Sequence, residues 1–464
     1  MPLAAPLSPP LVVCLVGSTI LATALLAMAR AHPNLPLAHS SPWEPHDLAL
    51  RPAASPSAGA RARRIPLALR AAITRKAAPD IAAYLPLRFD PRLSTPCWTP
   101  NASAGGGEKL CLPAFYLAGG MQCGVADLAA RLAHHPLLGK PRDAAPHWWT
   151  NHPRSRAGDF ARYVRLFSSR EATLRLEREP RTLMGDASPA SFTFIMAEQL
   201  RLHYQYLDAF TRCRDACRGR VPPREHCEAC ANRSYALLHC YAEAEEATTP
   251  LDFNLPALLS TVYAARAPRV VVLLRDPAVR LWIAFHVYGQ YPARYGKGVA
   301  GFLGYFGNQS AAFGVCERQF GVRRCVLRFE ALGPAQADVY YHADQLLKGI
   351  YSVFLSEWQR YLRRTLLVMR TEDYLNNPLR ALRRVTRHLE LPQLTAEGMR
   401  AAERERSRDE ALVLHDGMPS PEEMRGVRKF YEPFNVELAR LLGDRAFLWR
   451  YESSASRVGG VHTT

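Results

Sequence analysis

Two kinds of apolar run alternate along the middle of the chain. Residues 115–118 (FYLA) and 269–274 (RVVVLL) are short and uninterrupted by polar residues after their first position, as suits strands buried on both faces of a parallel sheet. Residues 365–369 read the same way, and 181–184 form a weaker strand just before Gly185. Between them the period lengthens to that of a helix. One helix is expected over about residues 125–134, after a glycine turn, and another is opened by Pro277, whose fixed φ suits a first turn. A long amphipathic helix is expected over about 339–361. Strands alternating with helices predict one α/β domain with a parallel sheet flanked by helices, spanning 97–452. No internal repeat interrupts it.

The flanks have a different pattern. After a short tail, 1–10, residues 11–28 form eighteen positions without a charge, the lower limit for crossing a bilayer. A transmembrane signal anchor is expected there, with a cleaved signal peptide as the alternative, because Ala27-Met28-Ala29 is an acceptable cleavage site. Residues 29–96 hold eleven prolines in 68 positions and no sustained apolar period, the composition of an extended stem. Residues 453–464 read as a tail. A lumenal domain would explain the sequons at Asn101, Asn232 and Asn308. It would also explain ten cysteines beyond the apolar segment, since an oxidising compartment pairs them. Cys97 with Cys111, and Cys316 with Cys325, are the short-range candidates. Cys213, Cys217, Cys227, Cys230 and Cys240 crowd an insert at 211–241, for which disulfides are favoured over zinc. The formal charge of +17 comes from 53 Arg and six Lys against 42 acids, dispersed rather than gathered in a run, which argues against nucleic acid as the partner.

The chemistry lies at the first strand's end. A strand, a glycine turn and a helix in FYLAGGMQCGVADLAARL aim unpaired backbone N–H groups and a helix dipole at an anion such as phosphate or sulfate. The phosphate-loop pattern of nucleoside triphosphatases is absent. Further pieces are His134-His135-Pro136, Pro146-His147-Trp148-Trp149-Thr150, Gly185-Asp186-Ala187-Ser188, Leu274-Arg275-Asp276-Pro277 with Arg280, Gly349-Ile350-Tyr351 with Trp358, and Phe430-Tyr431-Glu432-Pro433-Phe434-Asn435. In this order they resemble the Golgi carbohydrate sulfotransferases, closest to the N-acetylgalactosamine 4-sulfate 6-O-sulfotransferase branch.

That resemblance implies a P-loop-like α/β sulfotransferase domain and 3′-phosphoadenosine 5′-phosphosulfate as sulfuryl donor, with no metal. It implies a sulfated or acidic glycan acceptor and a single-pass type II protein of the Golgi membrane. By resemblance, the turn would hold the 5′-phosphosulfate through Gln122, Cys123, Gly124, Val125, Ala126 and Asp127, and Arg275 would hold the 3′-phosphate. Arg280 is either a second donor contact or a brace for its helix. His147 would line the acceptor cleft or serve as a buried structural histidine, and Trp148 and Trp149 belong either to the core or to a sugar platform. The chain departs from the family at three polar positions: Gln122 replaces the turn lysine, Ala145 the glutamate that serves as general base, and Ile283 a serine against the 3′-phosphate. Lys140 and Asp143 lie close enough in sequence to compensate, so Asp143 or His147 is the candidate proton acceptor. The alternative is a catalytically degraded member that binds glycan or a partner enzyme.

Overall fold

A computed structural model describes residues 64–100, 108–149, 159–193, 252–328, 345–405 and 417–450. The anchor at 11–28, the sequons at Asn101 and Asn232, the insert at 211–241 and the tail at 453–464 lie outside these residues. Among the described residues no helix is long and apolar enough to cross a membrane.

The folded part begins earlier than the proline content predicts. Helix α1 (Leu67–Ala77) falls within the expected stem, yet its Ile73 is buried, and the buried Arg70 donates to Ala257 O at 3.2 Å and stacks over the Tyr361 ring. Prolines here bound packed helices, so residues 64–96 belong to the domain. Strands β1 (Cys97–Trp98) and β2 (Leu110–Cys111) pair antiparallel, with the Cys97–Cys111 disulfide across them. The main sheet then opens with β3 (Phe115–Gly119), followed by α2 (Val125–Leu132). Helix α3 (Asp159–Arg165) precedes β4 (Gly185–Asp186), and α4 (Leu255–Val262) precedes β5 (Arg269–Leu274). Next come α5 (Pro277–Val287), the long α6 (Gly298–Phe320), and α7 (Tyr351–Leu362). After β6 (Leu366–Arg370) follow α8 (Thr371–Asn376), α9 (Pro378–His388), α10 (Ala396–Arg404) and α11 (Arg425–Leu442).

The four-stranded sheet is parallel throughout, in the order β4-β3-β5-β6. Val270, Val272 and Leu274 of β5 enter one apolar cluster and Val271 and Leu273 the other, so the RVVVLL run is buried on both faces, as its composition predicts. Two expectations are corrected. The second strand is Gly185–Asp186, not 181–184; Leu183 makes only an isolated parallel bridge to Leu138. Gly185 leaves room for the Phe115 ring, since a Cβ there would fall 2.2 Å from Phe115 Cζ. The helix expected over 339–361 is interrupted: residues 345–347 are helical, Lys348 and Gly349 form a turn, and α7 begins at Tyr351, while 339–344 lie outside the described residues. The Cys316–Cys325 disulfide joins the end of α6 to the short helix after it, and Asn308 is exposed on α6.

Candidate active site

In this strand order the chain leaves β3 toward β4 on one side and returns to β5 on the other. The carboxyl end of β3 is therefore the topological switch point, where open α/β sheets bind ligands. The turn 120–124 occupies it. Gly120 N–H donates to Leu273 O at 2.6 Å, which ties the turn to β5, and Thr371 Oγ1 at the start of α8 donates to Cys123 O at 2.8 Å, which ties it to β6. Gly124 caps α2 at φ 88°, a conformation open to glycine, and no side chain caps the helix. The amides of Val125, Ala126 and Asp127 lie in its first turn, which has no intrahelical acceptors to offer them. Gln122 also has positive φ, 57°.

Side chains around the turn divide into those aimed at it and those used elsewhere. The Asp127 carboxylate accepts from Arg131 Nε at 2.7 Å and from the Tyr374 hydroxyl, so its side chain is engaged with α2 and α8. Cys123 is a buried thiol with its sulfur 3.9 Å from the Tyr351 hydroxyl. Tyr351 in turn donates to Arg275 O at 3.0 Å, and Arg275 is buried at the carboxyl end of β5 rather than exposed at a strand end. Beside it Asp276 caps α5 by accepting from Ala278 N at 3.0 Å; burial pushes its carboxyl up to about 6.

Arg280 is the residue whose placement the sequence left open. It is 1% exposed. Its guanidinium donates to Met121 O and to Gln122 Oε1, each at 3.2 Å, and to both the backbone and side-chain oxygens of Gln345. Among the described residues it forms no ion pair, and the groups that favour its charge are Tyr351, Cys123, Tyr431 and Tyr288 rather than any carboxylate. It is therefore neither on the surface nor pinned by an acid: it is a desolvated cation against the back of the turn. Gln122 completes the link, receiving from Arg280 through Oε1 and donating through Nε2 to the Tyr288 hydroxyl at 3.2 Å. Ile283 is buried in the core, so no hydroxyl takes the place of the family's serine.

The second half of the site is built on β4. Ala187 N–H donates to Ala144 O at 2.7 Å, and His147 N–H donates to Ser188 Oγ at 2.9 Å, so the loop bearing Ala144 and Ala145 lies against the Gly-Asp-Ala-Ser segment. His147 has φ 50°; burial lowers its imidazole pKa, and the Asp143 carboxylate opposes that. Asp143 is exposed and accepts from Ala145 N at 3.0 Å. Lys140 is exposed and makes no contact with the turn among the described residues. Beneath them Asp186 is fully buried, accepting from Ser188 Oγ at 2.5 Å and from the Tyr163 hydroxyl at 2.8 Å. Burial pushes its carboxyl up to about 6, against those hydrogen bonds. Tyr163 continues through Tyr116 and Tyr263 to Pro113 O, and it receives Trp149 Nε1–H at 3.0 Å while stacking on Trp148. Trp149 is thus core, while Trp148 is half-buried beside it. Arg280's partner Gln345, and Thr371, Tyr288 and Tyr163, were not singled out by the sequence. Each meets the site through a contact that crosses many residues of chain.

The described residues hold no cluster of His, Cys, Asp and Glu suited to a metal ion. What the arrangement offers is an anion cradle of backbone amides backed by a buried cation, and on the β4 side an imidazole whose pKa burial lowers and the Asp143 charge partly restores. No family model matches the chain. Curated relatives do. Carbohydrate sulfotransferase 15 of Homo sapiens is 26% identical over 361 residues, covering 73% of this chain and 55% of that protein. The Rattus norvegicus protein of the same name is 27% identical over 351 residues, with the same coverage. The chain spans about half the length of the curated relatives it matches. Among solved structures, a sulfotransferase from Alicyclobacillus acidocaldarius matches with a TM-score of 0.37 and 14% identity, over 72% of this chain and 98% of that one.

The chain is similar to the carbohydrate sulfotransferases, as its motifs imply. The curated relatives it resembles are carbohydrate sulfotransferase 15, the GalNAc 4-sulfate 6-O-sulfotransferase.

Proposed function

We propose that the chain transfers a sulfuryl group from 3′-phosphoadenosine 5′-phosphosulfate to a hydroxyl of a glycosaminoglycan-like glycan, in the Golgi lumen and anchored through residues 11–28. The observation that carries this reading is the guanidinium of Arg280 behind the switch-point turn, buried and without an acidic partner among the described residues. A desolvated cation with no counter-charge favours an anion nearby, and sulfuryl transfer needs positive potential where charge develops.

In the reaction the sugar oxygen attacks sulfur in line, the bond from sulfur to the bridging phosphate oxygen breaks, and adenosine 3′,5′-bisphosphate leaves. The turn amides of Gly124, Val125, Ala126 and Asp127 would hold the 5′-phosphosulfate. Gln122, oriented by Arg280, would present its amide beside them in place of the missing lysine. Arg275 would hold the 3′-phosphate as a planar fork. His147 would accept the hydroxyl proton: burial favours its neutral form at neutral pH, and Asp143 would stabilise the imidazolium that results.

Calorimetry with adenosine 3′,5′-bisphosphate tests the donor half of this reading. Micromolar binding is the expected result. The alternative reading, a degraded member that binds glycan or a partner enzyme, rests on Ala145 and Ile283 and predicts no heat of nucleotide binding at millimolar concentration.

A further inference from the structure

Strands β5 and β6 end together. Their register pairs Leu274 with Arg370, so the residues that leave the sheet next are Arg275 and Asp276 on one strand and Thr371 and Glu372 on the other. Thr371 and Glu372 open α8, where the helix dipole favours a carboxylate in the first turn. Each side chain crosses to a different half of the donor site. The buried Thr371 hydroxyl donates to Cys123 O at 2.8 Å, in the switch-point turn. Glu372 Oε1 accepts from the Asp276 N–H at 2.8 Å, directly after Arg275.

The second contact bears on where Arg275 points. The Arg275 carbonyl and the Asp276 N–H belong to one peptide plane, and both ends of that plane are held. Its oxygen accepts from the Tyr351 hydroxyl at 3.0 Å, and its N–H donates to Glu372. With the strand fixing the residue before it, the held plane fixes the ψ torsion of Arg275 and so the direction in which its side chain departs. Glu372 is itself fixed from a third direction: its Oε2 accepts from Trp449 Nε1–H at 2.9 Å and lies 3.6 Å from Arg370 Nε. Thr371 and Glu372 are consecutive, with Cα atoms about 3.8 Å apart, so the turn and the Arg275 segment are both referred to one short piece of backbone.

We propose that Thr371 and Glu372 are positioning residues of the donor site, setting the turn that takes the 5′-phosphosulfate and the arginine that takes the 3′-phosphate at the separation the nucleotide requires. The assignment rests on the reading of that site as one for 3′-phosphoadenosine 5′-phosphosulfate, and it adds two residues that act through Cys123 and Arg275 without touching the nucleotide. Charge and positioning predict opposite signs for Glu372. A carboxylate near a phosphate site repels the phosphate, so by charge alone its removal would tighten binding. By positioning, its removal frees the Arg275 peptide and weakens binding.

Titration calorimetry on the full chain, comparing adenosine 3′,5′-bisphosphate with adenosine 5′-monophosphate, which lacks the 3′-phosphate, tests this. Wild type is expected to favour the bisphosphate. Glu372→Ala should weaken the bisphosphate about tenfold and leave the monophosphate within about twofold, so the preference shrinks. Glu372→Gln, which keeps an oxygen for the Asp276 amide, should retain the preference. Thr371→Val, which keeps the shape and loses the hydroxyl, should weaken both nucleotides by the same factor, about tenfold, and Thr371→Ser should bind like wild type. Bisphosphate binding by Glu372→Ala that is unchanged or tighter, an equal loss of both nucleotides in that variant, or wild-type affinities in Thr371→Val would overturn the proposal and leave the reading of the donor site standing. Should Glu372→Ala fail to fold, Glu372→Gln and the two Thr371 variants decide: loss of the preference in the first, or equal affinities in the other two, would overturn it. Binding of neither nucleotide by the wild-type chain would instead overturn the reading of the donor site, and this proposal with it.

Discussion

Changing Gln122 to Glu separates electrostatics from packing at the donor turn. The side chain keeps its size, and its oxygen already lies 3.2 Å from Arg280 Nη2. The new carboxylate gives the buried guanidinium the counter-charge it lacks among the described residues, so folding stability should hold or rise. Donor binding should move the other way. A unit charge two hydrogen-bond lengths from the bound phosphosulfate, roughly 6 Å, is worth about 3 kcal/mol at an effective dielectric of about 20. That corresponds to about a hundredfold in affinity. Arg280→Met should weaken binding by a similar factor, but with some cost to the fold, because its hydrogen bonds to Met121 and Gln345 go as well. Titration calorimetry with adenosine 3′,5′-bisphosphate, paired with thermal melts of the unliganded proteins, reads both quantities. If the Gln122→Glu protein bound the nucleotide within about threefold of wild type, the assignment of Arg280 as the charge behind the turn would be wrong.

Other consequences are separable. Asp186 has its folded-state pKa raised to about 6 by burial, so its contribution to stability is complete below the ordinary carboxylate range and is lost as pH rises through about 6. A shift of that size is worth roughly 3 kcal/mol. Asp276 acts with the same sign, so urea midpoints between pH 4 and 8 should keep part of their slope in Asp186→Asn, and an unchanged slope would refute the account of Asp186. For His147, lowered by burial and partly restored by Asp143, activity should fall on the acid side below the usual histidine range, and Asp143→Asn should move that limb lower still in a pH–rate profile. His147→Gln should lose about 10² to 10⁴ in kcat. Breaking the Cys97–Cys111 bridge, which closes a loop of sequence separation 14, should cost about 3 kcal/mol in urea unfolding.

Local features of the fold were readable because their causes are local. The β5 run, the proline-opened α5 and the glycine turn each depend on neighbours within a few positions. Both short-range disulfides followed from spacing and compartment in the same way. The errors came from distant contacts. Residues 64–96 looked like stem by proline content, but Arg70 reaches Ala257, 187 residues away, and that contact is invisible to a window. Arg280 looked like either a donor contact or a helix brace; what decides is Gln345, 65 positions on, and the carbonyl of Met121, 159 positions back. Asp186 could be read as part of a motif but not as a buried acid, since its burial depends on Tyr163, Tyr116 and Tyr263 meeting from three elements.

The central claim is sulfuryl transfer, and the most direct measurement is the movement of label from radiolabelled 3′-phosphoadenosine 5′-phosphosulfate to a panel of chondroitin and dermatan acceptors by the full chain. The account predicts transfer to at least one acidic chain, reduced by Arg275→Ala and by Gln122→Glu. Transfer no greater than that of the Arg275→Ala protein, across the whole panel, would contradict it.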